Sequence, residues 1–264
     1  MDRQAGNIID LEDVRREIDR VDDALLKLLQ QRFEVVDNVK LAKEQQGRAD
    51  QLPLRPAREA MILRRLTESN NSLLPNDLLL QIWRSIICCS TLSQAPIRIN
   101  GLKSLLDQPT ASEAISSHFV GFPVKSFSKI KTALNSTTKS NFELCAVSAE
   151  SKWLEHLSDA NFSELSVILT LPYKVEKKQH HIIILGKMSN EPTGDDETLL
   201  VSQGKLPRDF IPAPLWEVKT ADGYTLTSLP GYLSAGKSPL VGLINGNAEL
   251  ALKVLGRYPS PFEV

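Results

Sequence analysis

The chain has 264 residues, 42% hydrophobic and 24% charged, with 31 Lys and Arg against 32 Asp and Glu and a formal net charge of −1. A balance so near neutrality argues against nucleic acid or an acidic membrane surface as the main partner, since both select an excess of cations. Apolar runs fall short of the roughly 18 residues that a spanning helix requires, and Met1 to Gly6 lack an apolar signal core, so a cytoplasmic protein is expected. Three cysteines, two of them adjacent at Cys88 and Cys89, form neither a disulfide framework nor a zinc spacing, and no metal is expected.

From Leu11 to about Glu44 there is no Gly or Pro, and apolar residues recur at Leu11, Val14, Ile18, Val21, Leu25, Leu28, Val36 and Val39. Steps of three and four predict one long helix, with Asp10 as its N-cap. At 1.5 Å per residue it would be about 50 Å long, more than a small domain can cover, so a homodimer with paired long helices is expected. Gly47 to Pro53 breaks it. Pro56 suits a first turn, and a second helix is predicted over about Ala57–Glu68. A third starts near Asn76 or Asp77, carries Leu79, Ile82, Trp83, Ile86 and Ile87, and stops before Pro96. Beyond Pro96, β-branched runs such as Ser166–Leu171 and His181–Leu185 alternate with helical stretches, which predicts an α/β or α+β region. Lys187 to Asp196, with Gly, Pro and Asn, reads as a flexible link inside it.

Polar residues interrupt the apolar stripes. The first stripe, extended past Leu28, reaches Arg32, and past Val39 it reaches Lys43. On the third helix Ile86 leads to Ser90 and Ser90 to Gln94; on the second, Arg58 lies one turn before Ile62. Long side chains can reach solvent or pair with carboxylates, but a buried cation without a partner costs several kcal/mol, roughly, and carboxylates on these stripes are fewer than cations. An anionic ligand would supply the missing charge.

Val14-Arg15-Arg16-Glu17-Ile18-Asp19-Arg20-Val21-Asp22, then Leu25-Leu26-Lys27-Leu28-Leu29 and Arg32, resembles the opening helix of the all-helical chorismate mutases. The similarity runs on through Val39, Lys43 and Arg55-Pro56-Ala57-Arg58-Glu59 to Ile82-Trp83-Arg84-Ser85-Ile86-Ile87 and Ser90–Gln94. The resemblance implies a three-helix domain over residues 8–96, an intertwined dimer, and rearrangement of chorismate to prephenate in phenylalanine and tyrosine synthesis without a cofactor. It assigns the substrate carboxylates to Arg15 and Arg32, with Arg15 reaching over from the partner. Lys43 and Gln94 would donate to the ether oxygen, Glu59 and the Arg58 backbone would hold the ring hydroxyl, and Ser90 would help hold a carboxylate. Arg55 stands where many family members have an acidic residue. The chemistry suits these residue types, because the rearrangement is unimolecular and gains from positioning and from fixed positive charge at the breaking C–O bond.

Residues 97–264 resemble the rest of bifunctional chorismate mutase–prephenate dehydratases, as a dehydratase-like region at 97–187 and an ACT-like region at 194–264. Leu252-Lys253-Val254-Leu255-Gly256-Arg257-Tyr258-Pro259 is similar to the end of the ACT domain, and Ala146–Ser151 stands where a Val-Pro-x-Glu-Asn-Ser segment is carried. The dehydratase Thr-Arg-Phe signature falls on His180-His181-Ile182, and the phenylalanine-associated Glu-Ser-Arg-Pro on Thr227-Ser228-Leu229-Pro230. The resemblance thus implies no dehydratase activity. Successive strand residues face opposite ways, so His180 and His181 do not form a shared site. Cys88, Cys89 and Trp83 are expected to pack in the core. Two alternatives share the helical part: an isochorismate-pyruvate lyase, disfavoured by Gln94, and a non-enzymatic ligand-sensing dimer in which the cations are structural. A DNA-binding regulator lacks a recognition helix or basic face.

Overall fold

The computed structural model describes residues 10–157, 160–172 and 181–262. Three helices lead: α1 (Leu11–Gln45), α2 (Pro56–Ser69) and α3 (Asn76–Leu92). There follow β1 (Arg98–Leu102), α4 (Lys103–Leu106), α5 (Pro109–His118), β2 (Val124–Phe127), α6 (Ile130–Thr138) and β3 (Glu143–Ser148). Two short 3-10 turns precede β4 (Ser166–Leu171) and β5 (Ile182–Gly186). The chain continues through β6 (Asp196–Ser202), β7 (Trp216–Lys219), β8 (Thr225–Pro230), α7 (Leu240–Gly246) and β9 (Lys253–Pro259). An all-helical start followed by a mixed α/β region is the multidomain order expected from the sequence.

By compactness the chain divides between Asp50 and Gln51, so α1 forms one unit and all later elements the other. The start of α1 is fixed by Asp10, whose extended backbone lets its carboxylate accept the Glu12 N–H at 3.1 Å. Its end is fixed by Gly47 at φ +65°, a left-handed conformation that turns the chain while Gly47 N–H donates to Glu44 O at 3.0 Å. No α1 residue is buried, and the stripe of Ile18, Val21, Leu25 and Leu28 is more than half exposed along its length.

Helices α2 and α3 belong to the second unit. Their buried residues include Ala57, Ala60 and Leu63 on α2 and Leu79, Ile87 and Cys88 on α3. Their connection is held by the Asn70 side-chain amide, which donates to Leu74 O at 2.7 Å and Asn76 Oδ1 at 2.8 Å. Helix α2 is fastened to the sheet region by Arg64, which donates to Thr193 Oγ1 at 3.0 Å, Asp195 O at 2.9 Å and Ser260 O at 3.0 Å.

The second unit is built on a nine-stranded sheet ordered β2-β1-β3-β5-β4-β9-β6-β8-β7. Strands β2, β1 and β3 run parallel, β5 is antiparallel to both β3 and β4, and the strands from β9 through β6 and β8 to β7 are antiparallel. Strands from 97–187 and from 194–264 therefore lie in one sheet, joined where β4 and β9 pair in parallel at Val167 and Gly256. A Cβ on Gly256 would stand 2.1 Å from the Val167 carbonyl oxygen, so only glycine permits that approach. Alternation along β3 and β5 divides the core. Leu144, Ala146, Ile182 and Ile184 face a cluster with α5, while Cys145, Val147, Ile183 and Leu185 face one with α6, Trp153 and Tyr258.

Three local expectations are corrected. The inward face of α3 runs through Leu79, Arg84, Ile87, Cys88 and Thr91, so Ile82 is 40% exposed and Trp83 only half-buried. Of the adjacent cysteines Cys88 is buried and Cys89 exposed, because neighbouring helical residues lie about 100° apart. His181 precedes β5, which begins at Ile182, and its ring stacks on Trp216 at 4.1 Å between centroids. His180 lies outside the described residues.

Candidate active site

The expected site residues on α1 are Arg15, Arg32 and Lys43. Arg32 and Lys43 are 11 residues apart, about three turns, so they project from one face of the helix. Both are half-buried, unlike the solvated Arg15, and burial lowers the Arg32 pKa from its ordinary value. Arg15 Nη1 pairs with Glu12 within its own helix at 2.7 Å. It stands 17 residues from Arg32, roughly 25 Å along a rigid rod. One small molecule cannot touch both on the same helix.

The remaining expected residues lie on α2 and α3 or just outside their ends. Arg58 is exposed, and Arg55, at the N-cap of α2, is exposed and pairs with Glu191 at 2.8 Å. Ser90 is buried and donates to Ile86 O at 2.7 Å, a bond to the preceding turn that the hydroxyl can exchange for another acceptor. Gln94, half-buried and two residues beyond the end of α3, donates through Nε2 to Ser90 O at 3.0 Å, so the two residues form one polar patch where the helix ends.

Glu59 is the most constrained member. It is 7% exposed, and its Oε2 accepts from Arg84 Nη1 at 2.8 Å in a pair buried on both sides. Sequence reasoning gave Arg84 no role. The signal was present, since Arg84 falls one turn after Leu80 and one before the buried Cys88. The surroundings reflect its charge. His118, fully enclosed, is held well below the usual imidazole pKa by burial and then by Arg84, so it is neutral. Burial pushes the Cys88 thiol up to about 11 despite Arg84 nearby, which makes it an inert core group rather than a nucleophile.

Among the described residues no group of three or more His, Cys, Asp or Glu could hold a metal ion, and no helix is long and apolar enough to cross a membrane. The arrangement offers cations, amides and one oriented carboxylate, which are binding and charge-stabilising groups.

Residues 14–95 match the family model described as chorismate mutase type II. No curated protein matches the chain. Among solved structures, the chain is similar to one described as GqqA, a novel type of quorum quenching acylase, at 10% identity over 62% of this chain and 95% of that one, with a TM-score of 0.39. It is also similar to prephenate dehydratase from Streptococcus mutans, at 14% identity over 63% of this chain and 100% of that one, with a TM-score of 0.37. A third is prephenate dehydratase in complex with L-Phe from Arthrobacter aurescens, at 13% identity over 62% and 90% of the two chains and a TM-score of 0.35.

Proposed function

With residues 14–95 a chorismate mutase type II domain, we propose that the chain rearranges chorismate to prephenate. One observation carries this reading: every residue expected to hold the substrate, from Arg15 to Gln94, lies inside the matched segment.

Arg32 binds one substrate carboxylate through the fork of its guanidinium, and Arg15 of a second copy binds the other. This reading calls for a second copy, because Arg15 and Arg32 of one helix are roughly 25 Å apart. The exposed stripe of Ile18, Val21, Leu25 and Leu28 is the surface on which two copies pair. Held by both ends, the dianion is kept in its compact reactive conformer, which lowers the entropic part of the barrier. Lys43 and Gln94 donate to the ether oxygen as the C–O bond breaks and negative charge grows there. Ser90 exchanges its bond to Ile86 O for a substrate carboxylate. Arg84 holds Glu59 through Oε2, and Oε1 of the same carboxylate accepts the ring hydroxyl, assisted by the backbone of Arg58. No proton shuttle, nucleophile or cofactor is required by a unimolecular rearrangement. The β-rich region performs no dehydration, since His180-His181-Ile182 lacks the expected threonine.

The test is loss of chorismate and appearance of prephenate with purified full-length protein, beside Arg32→Ala and Lys43→Ala. Folded variants that lose at least about 100-fold in kcat/KM, roughly 2.7 kcal/mol of transition-state stabilisation, support the assignment. A folded parent that leaves chorismate untouched overturns it, and turnover of isochorismate would identify a lyase instead.

A further inference from the structure

A pocket of about 250 Å³ opens in the second unit on the face of α3 that carries Arg84. Arg84 and His118 are its buried polar groups, and Leu63, Leu80, Pro172 and Phe262 supply apolar walls. Gln81, Ser117 and Asp77 stand at the exposed rim. None of the residues assigned a contact with chorismate lines it; Arg84 reaches that site only through Glu59. The volume is at the lower end for ligand sites and suits a compact molecule.

The chemistry of the lining selects among such molecules. The guanidinium of Arg84 favours a carboxylate. His118, buried and neutral, lines the pocket without adding charge. Glu59 already pairs with Arg84 at 2.8 Å and Asp77 stands at the rim, so a ligand carboxylate must compete for Arg84, and a second negative charge would meet only carboxylates. A dianion would face two carboxylates with one cation. The apolar walls ask for a hydrocarbon or aromatic body.

We propose that this pocket is a second ligand site for a small apolar monocarboxylate, whose carboxylate competes with Glu59 for Arg84. Its consequence for catalysis rests on the mutase reading: drawing Arg84 toward the ligand loosens the carboxylate that holds the substrate hydroxyl, so occupancy slows turnover without blocking the chorismate site. Selectivity for one negative charge separates the two sites, because chorismate itself is a dianion.

Titration of the full chain with benzoate, followed by calorimetry, tests the binding. Saturable binding of one benzoate per chain is expected, at least tenfold weaker for isophthalate and for benzyl alcohol. Arg84→Gln should weaken it by at least tenfold. Because that variant disturbs a buried pair, a second variant is made at Ala114, a half-buried α5 residue that also lines the pocket: Ala114→Leu, which fills the pocket and leaves Glu59 and Arg84 in place, should weaken binding equally while keeping turnover unchanged. Absence of saturation, or undiminished binding in Ala114→Leu, overturns the proposal. Benzoate binding by a protein inactive on chorismate would sustain the pocket and remove the mutase. Turnover without benzoate binding would do the reverse. If both are present, benzoate should lower kcat in the parent and leave Ala114→Leu unaffected; inhibition that persists in that variant overturns the coupling.

Discussion

Arg84 and Glu59 share a site where neither is tolerable alone. Their side chains are 8% and 9% exposed, so removing one strands the other in a medium that solvates charge poorly. Arg84→Met should therefore destabilise the chain by roughly 3–5 kcal/mol in urea unfolding, whereas replacing both by apolar residues of similar volume should cost far less. Glu197 makes the opposite case. It is buried against Ser228 and Tyr258, accepts from the Tyr258 hydroxyl at 2.9 Å, and burial raises its pKa above the ordinary 4.5. The folded state thus holds a proton that the unfolded chain releases first. Stability from this group is complete below the unfolded value and falls as pH rises through the folded one. Glu197→Gln should flatten that decline, seen as a urea midpoint that changes less than the parent's between pH 4 and 8. Single residues were legible only in part. Arg84 and Arg58 are both arginines near the ends of quoted motifs, yet one is buried and the other exposed, and that difference depends on which helix face meets the sheet.

At the scale of elements the sequence was most informative, because helix periodicity is a local property. Asp10, Gly47 and Pro56 mark boundaries through capping and backbone preference, and they bound α1 and α2 as expected. What periodicity cannot reveal is which of two apolar stripes on α3 faces inward; Ile82 and Ile87 satisfy the same spacing and have different exposures. The exposed α1 stripe leads to a direct prediction. Ile18→Glu combined with Leu25→Glu places charge at the centre of the expected helix pairing. The variant should sediment as a monomer where the parent sediments as a dimer, and should lose chorismate turnover together with dimerisation. Retention of activity by a monomer would show that Arg15 need not come from another copy.

Across the whole molecule, contacts distant in sequence decide the outcome, and these were hardest to read. The run Ser166–Leu171 announces a strand, but nothing local states that its neighbours will be β5 and β9, the latter meeting it where Val167 faces Gly256, 89 positions later. Within Leu252–Pro259, Gly256 stands where the backbones of β4 and β9 meet. Gly256→Ala should lower stability by at least about 1–3 kcal/mol, since the obstacle is a backbone carbonyl that no rotamer change can move. A thermal midpoint unchanged by that substitution would show that β4 and β9 separate without penalty.

That narrow junction has a further consequence for how the molecule comes apart. Among the described residues one register pair of backbone joins β4 to β9, yet Leu199, Leu226 and Tyr258 from one side share a packed cluster with Val147, Trp153 and Ile183 from the other. Hydrogen bonding alone would let the antiparallel strands open like a door while the rest stayed shut. Packing forbids it, because the door's inner surface is also the room's wall. Amide protection in β3, β5, β6 and β8 should therefore be lost in a single concerted opening, with α1 exchanging on its own schedule.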